Sequence, residues 1–174
     1  NVRQVEHSAD DKVYALQNGD IVQLELSTKS SSIPIDDPLL LRTPLVTTQV
    51  KVKEGDKIKE GGQGANEVRA FALLDDKHFI TMNAAGSVAA HVDGRSVKLP
   101  FPLGGRGIRE LKLDQHQALH VITGSGSVYR MDKAEWQRMA PSVHKWERMP
   151  LPGNRQAEHL QTNSNQQIVA ISGD

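Results

Sequence analysis

Two tryptophans with basic residues near them are the side chains best suited to recognition in this 174-residue sequence. Trp136 and Trp146 are the only tryptophans. Tryptophan and arginine are enriched among the residues that dominate the energy of protein interfaces. Two interpretations stay open: the tryptophans pack a local insertion onto a sheet, or they anchor a partner. In the second interpretation, the partner-binding residues are Trp136, Arg138, Lys145, Trp146 and Arg148.

Histidine and carboxylate groups recur at spacings that could bind a metal or transfer protons. His116 and His120 have a spacing that suits a metal on a helix, but here it crosses a predicted turn and strand, and no third ligand accompanies it. Acidic pairs occur at Asp10–Asp11, Asp36–Asp37 and Asp75–Asp76. Two of these pairs fall at equivalent turn positions, which favours turn formation over catalysis. We therefore predict that no metal is bound.

Motifs that mark a nucleotide site or a hydrolase are absent from the sequence. The glycine-rich stretches at 104–107 and 124–126 lack the spacing of a P-loop or a dinucleotide fingerprint. Neither Gly-x-Ser-x-Gly nor His-Glu-x-x-His occurs. The sequence thus predicts a protein without a cofactor that is not an enzyme.

Charge and composition narrow the class of protein further. Lys plus Arg and Asp plus Glu both number 21, so the net charge is zero. Nucleic-acid binders usually carry a basic excess because they neutralise phosphates, and we expect no nucleic-acid partner. There is no cysteine, which excludes disulfides and thiolate metal sites. The first residue is Asn1 rather than methionine, and we expect the chain to be a piece of a longer protein.

A pattern that occurs four times would position these residues. Each copy has an alternating strand, a polar turn, an apolar strand and a glycine turn. The copies begin at Val2, Val68, Ile108 and Ala157. The second strands are predicted near residues 12–17, 78–82, 118–123 and 167–171, and the glycine turns at Gly19, Gly86, Gly126 and Gly173. Glycine suits such turns because two-residue hairpin loops require positive φ.

The spacing of these turns favours a β-propeller. Gly86 and Gly126 are 40 residues apart, and Gly126 and Gly173 are 47 apart. Four-stranded propeller blades repeat at about 40 to 50 residues. Proline-containing stretches at 97–102 and 147–152 fit outer edge strands, where no N–H donor is needed.

We therefore predict an all-β fold with about three and a half four-stranded antiparallel blades, as a partial propeller of a larger protein. The predicted blades cover residues 1–42, 68–102, 108–152 and, incompletely, 157–174, with an insertion or extra strand at 43–67. A short helix is predicted at 132–140, where Asp132 precedes Glu135 by three residues in the manner of a helix N-terminus. In the packing interpretation, Trp136 faces the blade near Trp146.

The second half of the chain carries a more specific pattern. The run LKLDQHQALHVITGSGSVYRMDKAEWQ, followed by WERMPLP, resembles the β-propeller region of the AvrE family of type III effectors. The earlier stretch KVYALQNGDIVQLELSTKSSSI is similar to the preceding blade in that family. The resemblance covers most of the chain, including the long interval at 43–67.

The resemblance implies a virulence protein that bacteria secrete through a type III system into host plant cells. Such effectors resemble water- and solute-permeable channel formers at host membranes, and they engage regulatory subunits of host protein phosphatase 2A. It further implies that this segment is a binding or scaffold propeller, with host membrane contact only through other parts of the parent protein. We expect the remainder of the parent chain to complete the propeller. The alternatives are a propeller-fold hydrolase or lyase, and a scaffold propeller of the bacterial cell envelope.

Overall fold

A computed structural model describes residues 2–8, 12–26, 40–46, 67–101, 107–138, 145–163, 165 and 167–172. Within these residues the chain forms three four-stranded sheets and one two-stranded sheet, all antiparallel and each ordered as in the sequence. The predicted all-β class and the four-stranded antiparallel sheets are therefore confirmed, and none of these four sheets, as far as the structure describes them, closes on itself. None of the helices among the described residues is long and apolar enough to cross a membrane.

Strand bounds agree closely with the predicted second strands. Sheet 1 contains β1 (Val2–His7), β2 (Val13–Gln17), β3 (Asp20–Leu26) and β4 (Leu40–Val46). Sheet 2 contains β5 (Val68–Leu73), β6 (His78–Asn83), β7 (Val88–Val92) and β8 (Arg95–Leu99). Sheet 3 contains β9 (Ile108–Leu113), β10 (Leu119–Thr123), β11 (Val128–Met131) and β12 (Glu147–Met149). Sheet 4 contains β13 (His159–Thr162) and β14 (Ile168–Ile171).

The fourth strand of sheet 1 extends beyond the predicted blade boundary at residue 42. β4 continues to Val46 and pairs with β3 along its length, so the start of the 43–67 interval belongs to this sheet. Pro44 is tolerated because β4 is an outer strand, bonded on one side only. The rest of that interval, up to residue 66, lies outside the described residues, as does Gly173.

Two of the predicted glycine turns show why glycine is needed there. Asn18 and Gly19 join β2 to β3 with φ of 53° and 88°, the combination that a two-residue hairpin turn requires. Gly126 has φ of 75°, and a Cβ atom at this position would lie 2.6 Å from Cβ of Gln156. Its carbonyl accepts a hydrogen bond of 2.9 Å from the N–H of Ala157. Gly126 thus lets the start of sheet 4 approach sheet 3.

The sheets pack face to face in chain order, with the first strand of each beside the first strand of the next. Among the described residues, the apolar cluster between sheets 2 and 3 is the largest. Smaller clusters join sheets 1 and 2 through Tyr14, Leu16 and Phe71, and sheets 3 and 4 through Ile122 and Leu160. The core is therefore divided into layers between successive sheets, as in the blades of a propeller.

Candidate functional site

The helix that carries Trp136 is shorter than predicted. α1 spans Lys133–Trp136, and the described chain leaves the helix before Arg138; residues 139–144 are outside the described residues. Asp132 occupies the N-cap position, but its side chain makes no capping hydrogen bond. Instead, its carboxylate oxygen lies 2.6 Å from a guanidinium nitrogen of Arg130. Tertiary packing rather than a side-chain cap therefore holds this helix, as expected for so short an element.

Trp136 provides that packing. Its side chain is completely buried in the cluster between sheets 2 and 3. The indole N–H donates a hydrogen bond of 2.8 Å to the carbonyl of Gln117 in the β9–β10 turn. A residue with no exposed surface cannot anchor a partner, so the partner-anchor interpretation is wrong for Trp136 and the packing interpretation describes it.

Trp146 immediately precedes the outer strand β12 and is only half-buried. Its indole N–H donates 2.9 Å to the carbonyl of Pro100, and its ring meets Phe101 edge to face at 5.2 Å between centroids. Trp146 packs against the same cluster that buries Trp136. The ring therefore joins sheet 3 to sheet 2, and part of its surface remains exposed.

The remaining predicted partner-binding residues are exposed. Lys145 and Arg148 flank Trp146 along the outer edge of sheet 3, while Arg138 forms an ion pair of 2.9 Å with Glu135. We call Lys145, Trp146 and Arg148 the outer-edge patch. Arg148 lies in β12 and Lys145 and Trp146 immediately precede that strand, whereas Arg138 follows α1. Their role in partner binding stays a prediction.

His116 and His120, the pair considered for a metal, lie in different surroundings. His120 is buried and places Nε2 2.8 Å from a carboxylate oxygen of Asp114, whereas His116 is exposed in the turn. The other carboxylate oxygen of Asp114 accepts the N–H groups of His116 and Ala118. Burial alone would raise the pKa of Asp114, but the bonds from His120, Ala118 and His116 outweigh it and hold that pKa below its usual value.

The predicted carboxylate pair at Asp75–Asp76 also serves a turn. Asp75 accepts the N–H groups of Lys77 and His78 at 2.9 and 2.8 Å, and its carboxylate contacts the imidazole of His78. The pairs at 10–11 and 36–37 are outside the described residues. Within the described part of the chain, no group of three or more His, Asp or Glu side chains could hold a metal ion.

Side chains that the sequence analysis did not single out tie neighbouring sheets together. The amide of Gln4 bonds both main-chain groups of Phe71, donating 2.7 Å to the carbonyl and accepting 3.2 Å from the N–H. Glu110 makes the matching contact between sheets 3 and 4, where it accepts the N–H of Leu160 at 2.8 Å. Both contacts cap the open edge of the next sheet's first strand, which otherwise presents unpaired peptide groups.

A β-bulge next to these residues aims an arginine across each of the same two interfaces. The pairing register skips Arg3 in β1 and Arg109 in β9. Arg3 reaches Glu67 at 3.2 Å, and Arg109 donates to the carbonyls of Ala157 and Glu158 at 3.2 and 2.9 Å. A bulge turns the extra residue out of the ladder. The signal in the sequence was the shared pair of an apolar residue and arginine at 2–3, 68–69 and 108–109.

A cavity of about 580 Å³ lies where the first strands of the four sheets end. Its lining includes Glu6, His7, Lys112 and Asp114. Glu6 and Lys112 lie 4.0 Å apart across it, so their charges offset each other. Asp114 is already bound to His120 and to its own turn. The cavity therefore combines charges of both signs. Of these four residues, Glu6, Lys112 and Asp114 are held by structural contacts, which leaves His7 as the one group that could act as an acid or base.

The fold is that of a segment of β-propeller, and comparison with solved structures agrees. Virginiamycin B lyase from Staphylococcus aureus superposes with a TM-score of 0.52 at 8% identity, over 95% of this chain and 46% of the lyase. YCF48 from Cyanidioschyzon merolae gives 0.53 at 13% identity, over 99% of this chain and 49% of that protein. At these identities the likeness shows the fold alone.

The sequence matches the AvrE-family Type-III effector proteins over residues 1–174, and the chain belongs to that family. It is 26% identical to Type III effector AvrE of Pseudomonas syringae pv. tomato, over 98% of this chain and 10% of that protein. It is 22% identical to Type III effector DspE of Pectobacterium carotovorum, over 98% of this chain and 11% of that relative. The chain thus spans about a tenth of the length of these curated relatives. Type III effectors are virulence proteins that bacteria secrete into host cells.

Proposed function

We propose that this chain is a non-enzymatic scaffold and binding segment of an effector that acts inside plant cells. The observation that supports the proposal is that several polar side chains are occupied in hydrogen bonds to the main chain. Gln4 and Glu110 bond the main chain of a neighbouring sheet, and Asp75 and Asp114 bond the main chain of their own turns. Groups fixed in this way hold sheets in register and leave the exposed faces for binding.

The outer-edge patch is the proposed contact for a host protein. A half-buried tryptophan with two exposed basic neighbours combines apolar area with positive charge. Trp146 is held by Pro100 and Phe101, which reduces the conformational entropy lost when a partner binds. The family resemblance suggests regulatory subunits of protein phosphatase 2A as the partner. Channel activity and contact with the host membrane would belong to other parts of the parent protein.

Calorimetric titration of a phosphatase 2A regulatory subunit with this chain tests the proposal. A double variant with the charge reversals Lys145→Glu and Arg148→Glu should bind about tenfold more weakly or worse, a loss of about 1.4 kcal/mol of binding free energy. Arg95→Glu, an exposed reversal on the outer strand of sheet 2, serves as the matched control and should bind as the unchanged chain does. Equal affinity for all three proteins would refute the outer-edge patch, and no binding by the unchanged chain would refute this partner.

A further inference from the structure

Two adjoining cavities lie at the junction of sheets 3 and 4. The first has a volume of about 540 Å³, and its lining includes Arg109, Arg155, Gln156 and Glu158. The second has a volume of about 470 Å³ and adds Arg148 and the β10–β11 turn, while Arg155 and Gln156 line both. We call the two cavities together the junction pocket. Its lining contains three arginines and one acidic residue.

The arginines of the junction pocket lack counter-ions in the part of the chain that the structure describes. Arg148 and Arg155 form no ion pair there, and Arg109 contacts main-chain carbonyls rather than a carboxylate. Glu158 pairs with none of the three, whereas Arg138 elsewhere on sheet 3 lies 2.9 Å from a carboxylate oxygen. Positive charge that the described residues leave uncompensated in a cavity favours a negatively charged ligand.

The equivalent place between sheets 1 and 2 shows which group is missing. Glu67, the residue before β5, lies 3.2 Å from a guanidinium nitrogen of Arg3 and 3.3 Å from one of Arg69. Gln156 is its counterpart, because both residues immediately precede a copy of the repeat. Arg109 is the bulge residue of β9, as Arg3 is of β1. A neutral amide therefore stands where a carboxylate would neutralise Arg109.

The β10–β11 turn adds a main-chain donor. In the corresponding turn of sheet 2, the side-chain oxygen of Asn83 accepts the N–H of Ala85 at 3.1 Å. Thr123 holds the position of Asn83, but its hydroxyl accepts the N–H of Ser127 at 3.1 Å and lies 2.9 Å from the Ser125 hydroxyl. The N–H of Ser125 donates to none of the described residues. It is therefore available to an anion beside the arginines.

We propose that the junction pocket binds a phosphate group, either as free phosphate or as the monoester of a small molecule. A phosphate accepts hydrogen bonds from several directions, which suits separate arginines and a peptide N–H, whereas one guanidinium can satisfy a carboxylate. The carbonyls of Ala157 and Glu158 hold the Arg109 guanidinium at 3.2 and 2.9 Å, so little conformational entropy is lost on binding. The first cavity has the volume of a small-molecule site, which leaves room for an ester group.

Calorimetric titration of this chain with inorganic phosphate, glycerol 3-phosphate and acetate, at constant ionic strength, tests the proposal. Both phosphates should bind, and acetate should bind at least about tenfold more weakly. Arg155→Gln should weaken phosphate binding by about tenfold or more, because it removes a charged donor. Arg95→Gln, at an exposed arginine of β8 that likewise forms no ion pair with a described residue, is the matched control and should bind as the unchanged chain does.

Two further variants change the charge of the lining in opposite directions. Gln156→Glu supplies the carboxylate that Glu67 supplies between sheets 1 and 2, and it should weaken phosphate binding by about tenfold or more. Glu158→Gln removes the one acidic side chain among the described lining residues and should strengthen binding by about threefold, as expected for an exposed charge. A merely structural role of these residues would not give opposite shifts.

Failure of both phosphates to bind, equal affinity for acetate, or undiminished binding by Arg155→Gln would overturn the proposal. Tighter binding of glycerol 3-phosphate would identify a monoester as the ligand, and tighter binding of inorganic phosphate would identify the free ion; either upholds the site. If Arg155→Gln does not fold, the opposite shifts of Gln156→Glu and Glu158→Gln decide. The site goes beyond the function proposed above, and none of these substitutions lies in the outer-edge patch, so either result can fail without the other.

Discussion

Glu110 ties sheet 3 to sheet 4 by bonding the main chain of β13, as Gln4 ties sheet 1 to sheet 2 by bonding the main chain of β5. Glu110 uses a carboxylate where Gln4 uses an amide. One oxygen accepts the N–H of Leu160, and the other lies 2.6 Å from Nδ1 of His159. Leu160 is buried, so its N–H would lose a partner without gaining water if Glu110 were removed. The contribution of Glu110 to stability is therefore the free energy that an unsatisfied peptide N–H would cost.

Glu110→Ala should lower the free energy of unfolding by about 1 to 2 kcal/mol for that reason. Chemical denaturation followed by fluorescence measures it. Glu110→Gln keeps an accepting oxygen and should recover part of the loss. Glu147→Ala, whose side chain is 72% exposed, should change the midpoint little. Similar midpoints for Glu110→Ala and Glu147→Ala would show that the contact between Glu110 and Leu160 does not stabilise the fold.

Trp136→Ala should be far more destabilising, by about 3 kcal/mol or more, because it leaves a cavity in a packed cluster. Trp136→Phe keeps much of the side-chain volume but loses the hydrogen bond to Gln117, so its stability should lie between those of Trp136→Ala and the unchanged chain. Lys145→Ala, an exposed change nearby in the chain, is the control. An unchanged denaturation midpoint for Trp136→Ala would contradict the packing role.

The sequence predicts single residues well where the controlling partner is close in the chain. Trp136 follows Gln117 by 19 residues, and its short helix needed a large apolar contact. The ties made by Gln4 and Glu110 join residues 67 and 50 positions apart, and no local pattern specifies such a partner. Asp132 is at the N-terminus of the helix as predicted, but its carboxylate binds Arg130, two residues away, instead of capping the helix.

At the scale of elements, strands and turns followed from the sequence because their chemistry is local. The second strands agree to within one residue at either end of 12–17, 78–82, 118–123 and 167–171. Outer strands are harder to predict, since they pair on one side only and their ends depend on the neighbour. β4 therefore continued to Val46, and α1 stopped at Trp136, where packing rather than helix propensity sets the length.

Two titrating groups in the turns and strands should make stability depend on pH. Burial against Phe79 lowers the pKa of His91 from its usual 6.5, so the folded protein disfavours the imidazolium. As pH falls below 6.5, the unfolded chain binds a proton that the folded chain does not, and stability decreases. The lowered pKa of Asp114 contributes stability above about 3.8, which is lost as pH falls through the folded-state pKa.

We therefore expect the free energy of unfolding to fall on acidification in two stages, first from His91 and then from Asp114. Denaturation at a series of pH values measures both. His91→Gln should remove the upper stage and leave the lower one, and Asp114→Asn should do the reverse. His116→Gln, in an exposed turn position, is the control and should keep both stages. A pH profile that His91→Gln leaves unchanged would contradict the assignment.

At the scale of the whole molecule, the three interfaces between sheets differ in chemistry. The interface between sheets 2 and 3 is a large apolar cluster, and Ala70 stands there in the position of Gln4 and Glu110. Among the described residues, the two outer interfaces have fewer buried apolar side chains, and side chains of the first strands bond the main chain there. Polar ties between first strands thus occur where the described apolar clusters are smaller, whereas sheets 2 and 3 are tied near their outer strands by the bond from Trp146 to the carbonyl of Pro100.

This difference predicts a gradient of local stability along the chain. β6 and β10 each lie in a sheet that is covered on both faces, whereas β14 is covered on one face only and bonded to one strand. Amides of β6 and β10 should exchange slowest with solvent, and those of β14 at least about tenfold faster, because regions with few buried contacts open first. Hydrogen exchange with mass spectrometry resolves these strands.

Glu110→Ala separates the gradient from a general loss of stability. Because Glu110 ties sheet 4 to sheet 3, its removal should speed exchange in β13 and β14 and leave β6 nearly unchanged. Leu111→Ala, the next residue along β9 but in the cluster between sheets 2 and 3, should instead speed exchange in both β6 and β10. If both variants accelerated all strands equally, the sheets would unfold as one cooperative unit, and the layered account of this fold would be wrong.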